Sequence, residues 1–198
     1  AWDMLAARHG VPRTAGGMAV PWAVFGLGKL GGEALGYASD LEVLCIYADA
    51  GRTDGEKSIS NREFFEKLFS TGLRAIKARK EGIFQIDLRL RPFGEDGPLA
   101  CNLDSFVSYY QRGGSAHSYE RLALIRLRYV AGDPVLGERV ERLRDELIYQ
   151  SDSIDLKEIR EMRQKQLVHK SDDERFNAKF SPGALVDLEY NVQILQVE

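Results

Sequence analysis

The pattern of apolar and polar residues differs between the two halves of the chain. Short apolar runs dominate the first half, and longer amphipathic runs dominate the second. Runs rich in β-branched and aromatic residues predict strands at positions 22–27, 41–48 and 83–90. Helical spacing of apolar residues predicts helices at 61–80, 106–111, 119–129, 134–149 and 155–169, and a final helix from Leu185. Pro134 and the capping-box spacing of Asp155 and Glu158 mark two of the helix starts. This order predicts an α+β fold with a small mixed sheet, packed helices and a helical C-terminal half.

The composition is that of an ordinary globular protein, and it narrows the function classes. The chain has 27 basic and 30 acidic side chains, so its net charge of −3 gives no reason to expect broad nucleic-acid binding. No apolar run approaches the roughly 20 residues of a membrane helix, and no signal peptide is visible. Two cysteines do not make a disulfide framework, which favours a reducing compartment, so we expect a cytoplasmic protein. Without an apolar run of membrane length, we expect no membrane partner. The chain begins without methionine and stops in a predicted helix, so we expect a piece of a longer protein.

A glycine-rich turn follows the first predicted strand. Gly26, Gly28 and Gly31 have the G-x-G-x-x-G spacing of a dinucleotide-binding fingerprint. A parallel crossover needs a dozen or more residues, usually with a helix, and the connection from Gly31 to Leu41 is too short for one. The glycines therefore favour a phosphate cradle, to which Lys29 adds a charge, or a tight turn that only needs glycine conformations.

Carboxylates cluster on the next two predicted strands. Asp40 and Glu42 are two residues apart, so both side chains point to one face of a strand. On the third strand, Asp87 shares the polar face with Arg89 and Arg91. If the two strands are neighbours, the carboxylates form an oxygen-rich site that suits Mg²⁺, with basic residues nearby for phosphate. The alternatives are solvated acids at a strand end and salt bridges on a sheet surface.

Three separated motifs resemble those of one protein family. The run G-K-L-G-G at 28–32, followed by S-D-L-E at 39–42, resembles the signature of the nucleotidyltransferase superfamily that includes DNA polymerase β. It is more similar to glutamine synthetase adenylyltransferases, which also have segments like D-L-R-L-R-P at 87–92 and K-F-S-P-G-A-L-V-D-L-E at 179–189. Two residues depart from the family pattern, because Glu42 stands where Asp is usual and Ala184 where Gly is usual.

The resemblance implies a site and a chemistry. It implies Mg²⁺ or Mn²⁺ ions held by Asp40, Glu42 and Asp87, with Asp87 as the base near the attacking hydroxyl. The residues that it implies for nucleotide binding are Gly28, Lys29, Gly31, Gly32, Ser39, Arg89 and Arg91. The residues that it implies as lining or supporting the site are Lys179, Asp187 and Glu189, for which helix packing is the alternative.

The resemblance also implies a function. Such enzymes transfer AMP from ATP to a tyrosine of glutamine synthetase, or remove it by phosphorolysis to give ADP. Glutamine synthetase is therefore the expected protein substrate, and a nitrogen-signalling regulatory protein is an expected further partner. We expect residues 1–132 to form the nucleotidyltransferase core, and 133–198 a helical extension with a segment that returns to it. Glu42 keeps an alternative open, in which a degenerate domain senses nucleotide without transferring it.

Overall fold

The computed structural model describes residues 1–37, 39–75, 85–150, 154–170 and 175–197, and it confirms the predicted α+β class. The strands are β1 (Pro12–Arg13), β2 (Trp22–Gly26), β3 (Leu41–Tyr47), β4 (Arg52–Thr53), β5 (Ile86–Asp87), β6 (Ala100–Asn102) and β7 (Arg128–Gly132). The helices are α1 (Trp2–His9), α2 (Gly28–Gly31), α3 (Asn61–Ala75), α4 (Leu103–Tyr110), α5 (Ser118–Ala123), α6 (Pro134–Tyr149), α7 (Leu156–Lys170) and α8 (Leu185–Val197).

The main sheet is mixed, and it places the two acidic strands side by side. Its strand order is β5-β3-β2-β7, and β6 pairs with the later half of β3. β2 is antiparallel to β3 and to β7, whereas β5 and β6 are parallel to β3. Since β2 and β3 are antiparallel and joined through the short helix α2, no parallel crossover follows the glycine-rich turn. This geometry excludes the dinucleotide-binding arrangement there.

Most of the central strand β3 is covered on both faces. Leu44 and Ile46 are at most 1% exposed. On the alternate positions, Tyr47 stacks on Phe65 of α3 with ring centroids 4.6 Å apart. A polar face therefore exists only at the start of β3, where Glu42 is half-buried. The first turn of this strand is where the protein can offer charged groups to a ligand.

The third predicted strand is shorter than its apolar run suggested. β5 covers only Ile86–Asp87, positions 83 and 84 lie outside the described residues, and the chain turns from Leu88 onward. The Asp87 carboxylate accepts a hydrogen bond from the Arg89 N–H at 2.9 Å, and the Arg91 N–H donates to the Leu88 carbonyl at 3.1 Å. These local bonds turn the backbone away from β3 and end the strand.

The predicted helix at 119–129 is wrong in its second half. α5 ends at Ala123, a 3-10 helix (Leu124–Arg126) follows, and β7 begins at Arg128. Within β7, Tyr129 pairs with Phe25 of β2. The edge of β2 overrides the helical spacing, because pairing with β7 gives hydrogen-bond partners to backbone groups of both strands that would otherwise lack them.

The other long predicted helices are confirmed as α3, α4, α6, α7 and α8, with positions 76–80 of the first outside the described residues. The predicted start of α7 is confirmed, and the Asp155 Oδ1 caps it by accepting from the Lys157 N–H at 2.8 Å. The reciprocal half of the predicted capping box is wrong, because the Asp155 N–H donates to the Ser118 Oγ at 2.9 Å and not to Glu158. The Glu158 carboxylate instead accepts from the Ser118 N–H at 2.7 Å and pairs with His117, so it fastens α7 to α5. Among the helices described here, none has both the length and the apolar character needed to cross a membrane.

Candidate active site

The glycine-rich turn is shaped by contacts that a larger residue would block. Gly28 has a φ of +48°, and a Cβ built on it would lie 1.3 Å from Glu42 Oε2. A Cβ built on Gly31 would lie 1.7 Å from the carbonyl oxygen of Arg126. The two glycines thus let a carboxylate rest on one side of the turn and a neighbouring backbone segment on the other.

The turn offers fewer free N–H groups than the predicted phosphate cradle. The N–H groups of Gly31 and Gly32 donate to the carbonyls of Leu27 at 2.8 Å and Gly28 at 3.0 Å. These bonds close the helical turn and occupy both N–H groups, while phosphate binding by this turn stays a prediction. Lys29 is exposed beside the turn and keeps its ammonium group in solvent.

Two further residues predicted to bind phosphate have structural hydrogen bonds. Ser39 is buried, and its Oγ accepts from the Gly36 N–H at 3.0 Å. Arg91 is 8% exposed, and its guanidinium donates to the carbonyls of residues 88, 95 and 97 at 2.9–3.0 Å. Both side chains shape the loops that carry the acids, and phosphate binding by Ser39 and Arg91 stays a prediction.

Glu42 and Asp87 stand in register on neighbouring parallel strands. Adjacent strands lie about 4.8 Å apart, and side chains in register point to the same face. Burial raises the pKa of Glu42 most, and the negative charge of Asp87 raises it further. The Lys29 N–H lowers this pKa, Asp40 adds a smaller rise, and the Lys179 charge lowers it least. Glu42 is therefore an acid under electrostatic repulsion, which a bound cation would relieve.

Asp87 is neutralised by its neighbour Arg89. The Arg89 Nε lies 3.0 Å from both carboxylate oxygens, and its Nη2 lies 2.5 Å from Oδ2. These side-chain hydrogen bonds lower the pKa of Asp87. Within the described residues, no group of three His, Cys, Asp or Glu side chains is arranged to hold a metal ion. Arg89 is bound to the oxygens that Asp87 would contribute to such a group.

The C-terminal segment meets the site through three charged residues with different contacts. Glu189 of α8 forms an ion pair with Arg126, with Oε1 and Nη1 2.7 Å apart. Asp187 forms an ion pair with Arg163 of α7 at 2.5 Å. Lys179 is exposed, and its positive charge acts on the Glu42 carboxylate. Asp187 and Glu189 hold α8 in place through these ion pairs, whereas the Lys179 ammonium lies over the Phe180 ring, 5.2 Å from its centroid.

Comparison with known proteins shows the family of the chain. A family model described as glutamate-ammonia ligase adenylyltransferase matches residues 1–143. The chain belongs to this family. One relative is the bifunctional glutamine synthetase adenylyltransferase/adenylyl-removing enzyme of Shewanella loihica, which is 37% identical over 98% of this chain and 22% of the relative. The enzyme of the same name from Thioalkalivibrio sulfidiphilus is 42% identical over 72% of this chain and 15% of the relative. That from Methylococcus capsulatus is 37% identical over 98% of this chain and 21% of the relative.

The chain spans about a fifth of the length of the curated relatives that it matches across 98% of its own residues. The shared name of these three relatives describes enzymes that add and remove adenylyl groups. For this adenylyltransferase-family chain, the family model covers the sheet and the glycine-rich turn. The fuller matches also cover the segment that carries Lys179 and Glu189.

In this member of the adenylyltransferase family, two arginines that the sequence reasoning missed hold the turn. The Arg128 Nε and Nη2 donate to the carbonyls of Gly31 and Leu30, both at 3.0 Å. The Arg126 side chain runs past Gly32, with its Cδ 3.3 Å from a Cβ built on that glycine. The signal was R-L-R at 126–128, whose alternation fits a strand, but the helix predicted at 119–129 concealed it.

Proposed function

We propose that this chain is a metal-dependent nucleotidyltransferase core, which attaches AMP to a tyrosine of glutamine synthetase or removes it by phosphorolysis. Family membership and the names of the relatives support the reaction class. One observation carries the proposal: Glu42 and Asp87 stand in register beside the glycine-rich turn, and Glu42 is under repulsion. Such an acidic pair suits a divalent cation that is shared with nucleotide phosphates.

The donor chemistry fits Mg²⁺ or Mn²⁺. Asp40, Glu42 and Asp87 would hold the ion through carboxylate oxygens, and the ion would stabilise negative charge on the phosphates of ATP or ADP. Glu42 has one methylene more than the usual Asp, so its carboxylate reaches about 1.5 Å further. Because Mg²⁺ demands near-ideal octahedral geometry, we propose that this site prefers Mn²⁺.

Asp87 and Arg89 have linked roles in this proposal. While Arg89 is hydrogen-bonded to it, Asp87 has a lowered pKa and is a weak proton acceptor. The Arg89 side chain is 67% exposed, so it can turn from Asp87 toward a phosphate. Asp87 then accepts the proton of the attacking hydroxyl, and Arg89 neutralises charge that develops on the phosphate. The exposed Lys29 and Lys179 supply further positive charge to the nucleotide.

The proposed domain division places the chemistry in residues 1–132 and the helical extension in 133–198. The main sheet and the glycine-rich turn lie in the first part. α7 and α8 lie in the second part, and the Arg126–Glu189 ion pair joins α8 to the turn. In this proposal the extension returns to the core through that ion pair.

Transfer of labelled AMP tests the proposal. The protein is incubated with labelled ATP and glutamine synthetase, and separately with adenylylated glutamine synthetase and inorganic phosphate, each with Mg²⁺ and with Mn²⁺. We expect labelled glutamine synthetase in the first reaction or ADP in the second. Glu63→Gln serves as the control, because this carboxylate lies on α3 in an exposed ion pair away from the turn. No product in any of the four reactions would refute the proposed activity.

A nucleotide sensor is the second candidate, and Glu42 in the place of Asp together with the Arg89–Asp87 pair favours it. Calorimetry with ATP and metal separates it from the enzyme. A sensor binds ATP with metal and forms no product in either reaction, and Glu42→Asp would restore transfer. Activity of the wild-type protein would exclude it.

A further inference from the structure

Two ion pairs attach α8 to the rest of the molecule, and they connect it to different places. Asp187 binds Arg163, whose side chain is 10% exposed and whose guanidinium also donates to the carbonyls of Phe180 and Ser181 at 2.9 and 3.2 Å. This contact fixes α8 to α7. Glu189, one helical half-turn later, binds Arg126 on the segment that precedes β7. The second contact therefore joins α8 to the glycine-rich turn.

Arg126 contacts this turn with both its backbone and its side chain. Its carbonyl oxygen lies where a Cβ of Gly31 would be, 1.7 Å from the built atom. Its Cδ and Nε lie 3.3 and 3.7 Å from a Cβ built on Gly32, so the side chain runs along the turn before it reaches Glu189. The ion pair is 32% exposed on the arginine side and 45% on the glutamate side, so it contributes little to folding.

Lys179 is bound to the first turn of α8 by the backbone. The Val186 N–H donates to the Lys179 carbonyl at 3.1 Å, and the Leu185 N–H donates to the Ala178 carbonyl at 3.2 Å. A displacement of α8 therefore moves Lys179 with it. The amides of this segment therefore report on the position of α8 as well.

We propose that Arg126 is a positioning residue, which joins α8 through Glu189 to the glycine-rich turn against which the Glu42 carboxylate rests. The inference rests on the proposed function for its catalytic consequence. Arg126 itself touches no reacting group. Its effect passes from Glu189 through its own contacts with Gly31 and Gly32 to the turn, where Gly28 lies against the Glu42 carboxylate.

Charge reversal and exchange test this role. Arg126→Glu and Glu189→Arg each replace the attraction with repulsion, and the double variant restores opposite charges. Each single variant should lower kcat of AMP transfer by roughly two- to thirtyfold, the range of mutations that act through a coupled contact. The double variant should recover most of that loss. Lys67→Glu and Glu63→Lys are matched controls, because this pair on α3 is similarly exposed, at 44% and 49%, and both should leave kcat unchanged.

Hydrogen exchange of backbone amides supplies a measurement that needs no activity. In both single variants, amides at 178–190 should exchange faster than in the wild-type protein, and the double variant should return them toward wild-type rates. Unchanged exchange in the single variants, or a double variant no better than the worse single variant in either measurement, would overturn the inference. A wild-type protein without transfer activity would refute the proposed function separately, because the exchange series still decides whether Arg126 holds α8.

Discussion

The two sides of the glycine-rich turn carry opposite charges and use them differently. On the basic side, Arg128 donates to carbonyls of the turn and Arg126 pairs with Glu189, so both guanidinium groups are bound within the protein. On the acidic side, Glu42 receives a backbone N–H from Lys29 but lies beside two other carboxylates, and burial with this repulsion raises its pKa. The guanidinium groups of the basic side thus have partners within the fold, whereas the carboxylates around Glu42 still repel one another.

This difference separates residues that build the site from residues that are available to a ligand. A charge that is paired inside the protein has little left to offer a phosphate or a metal ion. A carboxylate held near other carboxylates is destabilised by their repulsion, and a bound cation removes that repulsion. The free energy that the repulsion costs the free protein is therefore recovered when the cation binds. Asp87 lies between the two cases, because Arg89 neutralises it but is itself exposed.

The largest effect is expected for Glu42→Gln, which removes the unsatisfied charge with little change of shape. Transfer should fall by at least roughly 10²-fold, the usual scale for losing a positioned charge at a reaction centre. The free energy of unfolding should stay unchanged or rise, because the substitution removes the repulsion with Asp87 and the cost of burying a charge. Single-turnover kinetics and denaturant unfolding check both parts. A clear loss of stability would show that Glu42 belongs with the structural charges of the basic side.

Asp87→Asn should lower transfer by roughly 10²-fold, the scale of losing a positioned general base. The fold should be retained with a stability change of about 1 kcal/mol or less, because the Arg89 that loses its partner is 67% exposed. Kinetics with the folded variant measure the first effect and thermal unfolding the second. Near-normal turnover would remove Asp87 from the catalytic residues and leave Glu42 as the acid that matters.

Gly31→Ala tests the packing of the basic side and should destabilise the fold. Its Cβ would lie 1.7 Å from the Arg126 carbonyl oxygen and 2.6 Å from that of Gly26, so backbone must shift at a cost of roughly 1–3 kcal/mol. Gly72→Ala is the matched control, because nothing lies within 4 Å of the added Cβ in the interior of α3. That control should raise stability by roughly 0.5–1 kcal/mol. Denaturant unfolding of the two variants decides the matter, and equal stabilities would contradict the close approach at Gly31.

The smallest effect is a pH dependence that belongs to Glu42. Its folded-state pKa lies above the usual 4.5, so between 4.5 and the raised value the folded protein binds more protons than the unfolded chain. Stability contributed by this group is therefore lost as pH rises through that window. The stability of the wild-type protein minus that of Glu42→Gln should decrease from pH 4.5 upward. A difference that increases with pH would mean that Glu42 is stabilised as a carboxylate.

The elements with a strong local signal could be predicted from the sequence. The apolar runs of β2 and β3 and the amphipathic pattern of α3 determine these elements, because burial of one face or of a whole run stabilises a single local conformation. The acids could also be placed on one face, since Asp40 and Glu42 are separated by the strand period. The motif order indicated the adenylyltransferase family, which the family model confirms.

What only the tertiary structure decided is which charges are paired. β7 forms because β2 offers an edge, and this pairing brings Arg126 and Arg128 to the turn from a segment with helical spacing. Arg91 and Ser39 read as phosphate ligands in the sequence but serve backbone groups in the fold. The reason is physical: residue type and spacing determine the charge and direction of a side chain, whereas its counter-charge comes from segments distant in sequence. The sequence therefore determined the elements and the acids, and the packing of distant segments determined which of their charges stay available.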